Sequence, residues 1–109
     1  MGKPRKVKTI YIGTQDVQDW TQSIGKMTLM PLMFSGIKEI IENKKKKYHF
    51  ARVECLIRDK KTAFDFWVKK DGIDESLEKC LEWALEEEEY EMCSEIKRLE
   101  KLLEKETEF

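Results

Sequence analysis

The sequence predicts an α+β fold, in the order β-α-α-β-β-α-α, with a three-stranded antiparallel sheet and a C-terminal helical hairpin. Three observations predict this fold. Two runs of alternating apolar and polar residues flank a charged turn in mid-chain, a third run lies near the start, and two apolar stripes of helical spacing occupy the last third. The 109 residues suffice for a single domain, with a basic α+β part at 1–70 and an acidic helical hairpin at 71–109.

The first predicted strand covers residues 7–12. β-branched residues alternate with polar ones there, and Ile10 and Ile12 share one face. Thr14 follows as the predicted N-cap of a short helix through Trp20, because its hydroxyl can accept a hydrogen bond from a free amide of the first turn.

A second helix is predicted to begin at Pro31, after an interruption at residues 25–31. Proline suits the first helical position because its missing amide hydrogen would be unbonded there. The apolar stripe of this helix consists of Phe34, Ile37, Ile40 and Ile41. The lysine run at 44–47 closes the helix, since cations are favoured near a helix C-terminus.

The clearest local pattern is a β-hairpin at residues 48–70, with its turn centred on Asp59 and Lys60. On the face predicted to be buried, this register pairs Ala51 with Val68, Val53 with Phe66, and Cys55 with Phe64. On the face predicted to be partly solvated, it pairs Arg52 with Trp67 and Glu54 with Asp65. One face is therefore wholly apolar, as a half-buried hairpin requires.

Two further helices are predicted in the last third of the chain. Asp74 can cap the first, whose apolar stripe consists of Leu77, Cys80, Leu81, Ala84 and Leu85. The stripe of the second consists of Met92, Ile96, Leu99 and Leu103. The phase of the two stripes leaves two alternatives, a chain that folds back near Glu88 and Glu89 or one long helix.

Charge is divided unevenly along the chain. Residues 1–70 contain 16 Lys or Arg and 7 Asp or Glu, a net charge of +9, whereas residues 71–109 contain 5 and 15, a net charge of −10. Such asymmetry bears on partners and association rates. No apolar run is long enough to span a membrane, and the start of the sequence lacks the apolar region of a signal peptide. The three cysteines are expected to be buried free thiols, which predicts a cytoplasmic protein.

The sequence does not contain a convincing catalytic set, so we expect a non-enzymatic protein without cofactors. His49 is interpreted as a side chain at a strand edge, and Glu54 with Asp65 as a solvated carboxylate pair. Three cysteines and one histidine could supply four zinc ligands, but they lack the close pairs of ligands that zinc sites use, and no metal site is expected.

The acidic end carries one resemblance to a known motif. Ala84 precedes an acidic stretch, an aromatic-Glu pair, two small residues, an aliphatic residue and a basic residue, and these last are Tyr90, Glu91, Cys93, Ser94, Ile96 and Lys97. This arrangement resembles the UVR motif, a short helical hairpin of bacterial nucleotide-excision-repair helicase and nuclease subunits and of some Clp-type chaperones and adaptors. Arg98 departs from the motif, which usually has an acidic residue there. The resemblance implies protein–protein docking, often with another such hairpin.

The leading functional prediction is a protein-binding module, or a small regulatory or inhibitory protein, that docks on the basic surface of a larger partner. The residues predicted to make this contact belong to the acidic end and are Trp83, Glu86, Glu87, Glu88, Glu89 and Tyr90. The aromatic rings are expected to be exposed beside the glutamates.

The alternative prediction is a nucleic-acid-binding accessory protein that uses the basic part of the chain. Its candidate contacts are Lys44, Lys45, Lys46, Lys47, Arg58, Lys60, Lys61 and Trp67, together with the N-terminal Lys3, Arg5, Lys6 and Lys8. Lysines and arginines would neutralise phosphates, and aromatic rings would stack on bases. A third alternative is head-to-tail self-association between the basic and acidic parts.

Overall fold

The computed structural model describes residues 7–107, so the N-terminal Lys3, Arg5 and Lys6 lie outside the described part. The α+β class is confirmed. The elements, in chain order, are β1 (Thr9–Tyr11), α1 (Val17–Thr21), α2 (Ile24–Glu42), β2 (Lys47–Ile57), β3 (Lys60–Lys69), α3 (Ile73–Glu86) and α4 (Tyr90–Thr107). The protein measures 51 × 40 × 21 Å, and its thinnest dimension fits one helical layer on one sheet.

The sheet is mixed, with β2 between β1 and β3. β2 and β3 are antiparallel as predicted, but β1 runs parallel to β2, with Ile10 beside Val53. The prediction of a purely antiparallel sheet is therefore wrong. Two helices connect β1 to β2, and a connection of this length brings the chain back to enter β2 in the direction of β1.

The hairpin has the predicted faces but a different register. Its turn consists of Arg58 and Asp59, both with positive φ (51° and 64°), as in the two-residue turns that match strand twist. Val53 therefore pairs with Phe64 where Phe66 was predicted. Each partner is displaced by two residues, and because side chains alternate with a period of two, each residue keeps its face.

A β-bulge at Phe50 changes the side-chain phase of β2. Ala51 pairs with Phe66, whereas His49 pairs with Trp67, so Phe50 is an extra residue without a cross-strand partner. Phe50 is buried against the helices. Without the bulge, His49 would point to the same side as Ala51, and the extra residue turns it to the opposite side.

α2 begins earlier than predicted and passes through Pro31. The proline removes one hydrogen bond, to the carbonyl of Met27, and both residues are exposed, so water can reach that carbonyl. Upstream, Gly25 packs so closely on Trp20 that a Cβ would collide with the indole ring. The N-cap of α1 is Asp16 rather than Thr14, since the Asp16 carboxylate accepts a hydrogen bond from the Asp19 amide (3.1 Å).

The acidic part folds back as a hairpin of α3 and α4, which settles the alternative left open by the sequence. The turn lies at residues 87–89, where Glu88 has a φ of 56°. α3 begins at Ile73 after Gly72 (φ 80°), so Asp74 lies in the first turn and is not the cap. Ile96 and Leu99 of the second stripe are fully buried.

The core lies between the helical layer and one face of the sheet. Its fully buried side chains include Ile37, Leu77, Ile96, Leu99 and Val53. All three cysteines are free and buried, as predicted, and burial raises the pKa of the Cys80 thiol to about 12. No helix within residues 7–107 is both long enough and apolar enough to cross a membrane.

Candidate functional site

The sheet has one face toward the helices and one face away from them. Along β2, Ala51, Val53 and Cys55 point to the helices and are fully buried, so the alternate residues Arg52 and Glu54 point to the other side. We call that other side the open face. Its residues are Tyr11 from β1, His49, Arg52 and Glu54 from β2, and Lys61, Asp65 and Trp67 from β3.

An aromatic stack lies on the open face. The rings of His49 and Trp67 are stacked, with centroids 4.5 Å apart and an interplanar angle of 15°. Trp67 is 46% exposed, and Lys47 Nζ lies 5.1 Å from the centroid of its ring. Tyr11, 59% exposed, adds another aromatic ring to the same face. The stack restricts the rotamer of Trp67, so the ring is already positioned for a planar ligand.

The polar groups of the open face form cross-strand ion pairs. Lys61 Nζ lies 3.0 Å from Glu54 Oε2, and an Arg52 terminal nitrogen lies 3.6 Å from Asp65 Oδ1. His49 Nε2 lies 2.9 Å from the same Asp65 oxygen and is charged only when protonated. The predicted Glu54–Asp65 pairing is wrong, because Glu54 pairs with Ala63 across the strands. These solvated pairs contribute less than about 1 kcal/mol each, so a ligand could rearrange them at low cost.

A cleft of about 580 Å³ lies at the end of the hairpin beside this stack. It is lined by Lys46, Lys47, Lys69, Lys70 and Asp71. Lys47 and Lys69 are cross-strand partners, and the Lys70 amide donates to the Lys46 carbonyl (2.8 Å). The backbone therefore holds four lysines together, although like charges on opposite strands repel. We call these five residues the lysine cleft.

The remaining basic candidates do not all join this site. Lys44 is exposed just beyond α2, and Lys45 Nζ lies 3.9 Å from Glu39 Oε1. Arg58 and Lys60 lie at the hairpin turn, and Lys61 follows as the second residue of β3. β2 has 11 residues, so about 30 Å of strand separates the two basic ends. The structure thus brings Trp67 together with Lys46 and Lys47, and places the turn residues elsewhere.

The acidic hairpin exposes part of the predicted docking set. Glu86, Glu87, Glu88 and Glu89 are exposed at the turn, and Tyr90 is 64% exposed. Trp83 is only 5% exposed, so the expectation that its ring is exposed is wrong. It is buried because α3 packs against both α2 and α4, which widens its buried side. Leu85, predicted as core, is 54% exposed and replaces Trp83 as the apolar residue of this surface.

A cavity of about 760 Å³ lies between the start of α1 and the tip of the hairpin. Val17, Ile57, Phe64 and Phe66 provide its apolar lining. The helices leave the tip of the sheet incompletely covered, since Phe64 is 39% and Ile57 is 47% exposed. The cavity could hold an apolar group.

Among the residues of the open face and the lysine cleft, His49, Arg52, Lys69, Lys70 and Asp71 were not predicted as contacts from the sequence. The pair Phe50-Ala51, two consecutive apolar residues in an alternating run, was the available signal for the bulge that turns His49 to the open face. Within residues 7–107, no group of three or more His, Cys, Asp or Glu side chains is arranged to hold a metal ion.

Comparison with known proteins gives no family for this chain. No protein-family model matches it, and no curated protein or solved structure matches it significantly. The features of this protein that bear on its function are the open face, the lysine cleft and the acidic hairpin.

Proposed function

We propose that this protein is a non-enzymatic module that binds single-stranded nucleic acid on the open face. The observation that carries the proposal is the Trp67 ring, 46% exposed, stacked on His49 and bordered by Lys47. Aromatic rings on an exposed sheet stack on unpaired bases of any sequence, and neighbouring cations pair with the phosphates. This is the alternative that the sequence suggested, and it now depends on Trp67, Lys47 and Lys61 from the predicted set together with His49 and Arg52.

The side chains of the open face suit the two parts of a nucleotide. A base would stack on the indole, whose position His49 fixes. Lys47 has a long flexible side chain, so it can leave the ring to the base and pair with a phosphate. Arg52 and Lys61 would provide further phosphate contacts by exchanging their carboxylate partners for phosphate oxygens. Unpaired bases are required, because a duplex keeps its bases stacked on one another.

Fluorescence anisotropy with labelled single-stranded and double-stranded oligonucleotides tests the proposal. We expect the single strand to bind more tightly, with a logarithmic salt slope of about −2 if the three cations Lys47, Arg52 and Lys61 contact phosphates. Trp67→Ala should weaken binding by about 5- to 150-fold, the range for loss of one base–aromatic stack. Tyr90→Ala is the matched control, since it removes an exposed aromatic ring from the acidic hairpin and should leave affinity unchanged.

Two results would refute this proposal. One is the absence of oligonucleotide binding at low salt. The other is equal affinity of the wild-type protein and Trp67→Ala, after urea denaturation has shown that both are folded under the assay conditions.

A second candidate function is docking of the acidic hairpin on a protein with a basic surface. The observation that favours it is the exposure of Leu85 and Tyr90 on either side of four glutamates, because apolar anchors within a charged rim are typical of protein interfaces. The resemblance to the UVR motif adds the expectation that the partner contributes a helical hairpin. Self-association is the special case in which the partner is a second copy.

Affinity capture with the glutamates at 86–89 changed to glutamine tests the second candidate. The expected result is loss of captured partners from the glutamine variant and from Tyr90→Ala, but not from Trp67→Ala. Undiminished capture by the glutamine variant would argue strongly against docking through this end. The two candidate functions therefore predict opposite patterns for the same pair of aromatic variants.

A further inference from the structure

We propose that the lysine cleft binds the terminal phosphate of the nucleic acid, so that the protein holds a strand by its phosphorylated end. This inference extends the proposed function, because it takes the strand on the open face as given. It adds a separate site, with a ligand of its own: a phosphomonoester or oligophosphate group.

The charge in the cleft exceeds what one internal phosphate requires. Four lysines and Asp71 line it, and their formal charges sum to +3. An internal phosphodiester carries one negative charge, whereas a terminal phosphate carries about −1.5 to −2 near neutral pH. A di- or triphosphate carries more. A terminal phosphate or an oligophosphate therefore matches the charge of the cleft better than an internal phosphodiester does.

The four lysines also lack the partners that nearby lysines have. Lys38 and Lys45 lie within 4 Å of glutamates, at 3.5 Å and 3.9 Å. In contrast, none of the four cleft lysines forms an ion pair with another side chain of residues 7–105. Their mutual repulsion is thus offset only in part, by the charge of Asp71, and an anion would relieve it.

The position of the cleft favours the end of a strand over its middle. Lys46 precedes the first residue of β2, and Lys70 follows the last residue of β3, so the cleft lies at the limit of the sheet. The Trp67 ring is adjacent, with Lys47 reaching both the ring and the cleft. A terminal base on Trp67 would therefore place its own phosphate in the cleft, while the strand continues across the open face toward Arg52.

The test compares oligonucleotides of one sequence that carry a 5′-phosphate, a 3′-phosphate or hydroxyl groups at both ends. For the wild-type protein we expect one phosphorylated end to raise affinity by about fivefold to tenfold. The double variant Lys46→Gln/Lys70→Gln should lose this advantage and still bind the hydroxyl-ended strand, because it retains Trp67 and Lys47, the lysine beside the ring. The matched control is Lys44→Gln/Lys60→Gln, which removes the same charge from exposed positions outside the cleft and should keep the advantage.

Calorimetry with inorganic tripolyphosphate separates this inference from the proposed function. Binding to the wild type and the control, but not to Lys46→Gln/Lys70→Gln, supports the cleft even if no oligonucleotide binds, and in that case the proposed function alone fails. Equal affinity for phosphorylated and hydroxyl-ended strands, with binding still dependent on Trp67, overturns the cleft and leaves the proposed function standing. If both double variants lost the affinity gain from a terminal phosphate to the same extent, the cleft proposal would also be overturned, because the gain would then reflect the overall charge of the protein.

Discussion

Gly36→Ala tests how closely α2 approaches the sheet beneath the lysine cleft. Gly36 is buried, and a Cβ at this position would lie 2.9 Å from Tyr48 Cδ1 and 3.0 Å from Val68 Cγ1. Neither neighbour can move freely, because Tyr48 and Val68 pair with each other across the strands next to Lys47 and Lys69. Overpacking of this kind costs about 1–3 kcal/mol, while alanine gains about 1 kcal/mol in helix propensity over glycine.

Because neither neighbour can move freely, we expect the overpacking cost to lie in the upper part of its range and to exceed the gain in helix propensity. Gly36→Ala should therefore lower the free energy of unfolding by about 1–2 kcal/mol. Urea denaturation would show a lower midpoint with an unchanged slope. Ser35→Ala is the control: it is exposed on the same helix, gains propensity without a new contact, and should stabilise by up to about 0.5 kcal/mol. If Gly36→Ala instead raised the free energy of unfolding by the full gain in helix propensity, the close packing of α2 on Tyr48 and Val68 would be refuted.

Three further predictions concern stability and reactivity. Leu77→Ala should cost about 2–5 kcal/mol and Leu85→Ala about 0.5 kcal/mol or less in the same denaturation assay, because only Leu77 is buried; equal costs would contradict the packing of α3. Burial raises the pKa of Cys80 to about 12, so at pH 8 alkylation should occur only as fast as the protein unfolds, and rapid labelling of the folded protein would contradict this. A hydrogen bond from Arg98 lowers the pKa of Glu95 in the folded protein. The pair therefore stabilises the fold fully above the pKa that this carboxyl has in the unfolded chain, and the stabilisation is lost as the pH falls through the lower pKa of the folded state. The stability difference between wild type and Glu95→Gln should accordingly shrink in acid, and a pH-independent difference would refute it.

The period-two pattern predicted which face each hairpin residue occupies, but not its partner. Val53 is on the buried face in either register, so burial alone could not distinguish Phe64 from Phe66 as its neighbour. The register depends on the turn, and Arg58 and Asp59 adopt positive φ without the glycine that would have indicated such a turn.

Tertiary packing explains the other differences. Pro31 looked like a helix start, yet the contact of Gly25 with Trp20 and the burial of Leu29 extend α2 upstream of it. Trp83 looked exposed because only one stripe of α3 was counted as apolar, whereas α3 is covered from two sides.

The site was predictable in its residue types and not in its arrangement. Trp67 and Lys47 were candidates from the sequence, since a basic run and an aromatic strand residue are local features. Lys47 and Trp67 lie close to Lys69 and Lys70 because the ends of β2 and β3 pair, which local sequence features do not indicate. The stack with His49 depends on the bulge at Phe50, which the pairing of the strands reveals and composition does not.

The division of charge along the chain becomes a division across the molecule. The acidic hairpin belongs to the helical layer, where Arg98 of α4 pairs with Glu42 (3.0 Å) and Lys38 of α2 with Glu95 (3.5 Å). The open face and the lysine cleft lie on and beside the sheet. The molecule is 21 Å across its thinnest dimension. This thickness exceeds the Debye screening length of about 8 Å at physiological ionic strength, but it is less than the Debye length of about 30 Å at 0.01 M salt.

This geometry predicts how the acidic end affects oligonucleotide binding. At about 0.01 M salt the field of the four glutamates at 86–89 reaches the open face, so their change to glutamine should raise affinity for a single strand several-fold. At about 0.15 M salt the same variant should bind like the wild type, because the field is screened before it crosses the molecule. Anisotropy titrations of both proteins at the two salt concentrations measure this difference. An effect of equal size at both would mean that the glutamates contact the strand or the lysine cleft directly, contrary to their place at the α3–α4 turn.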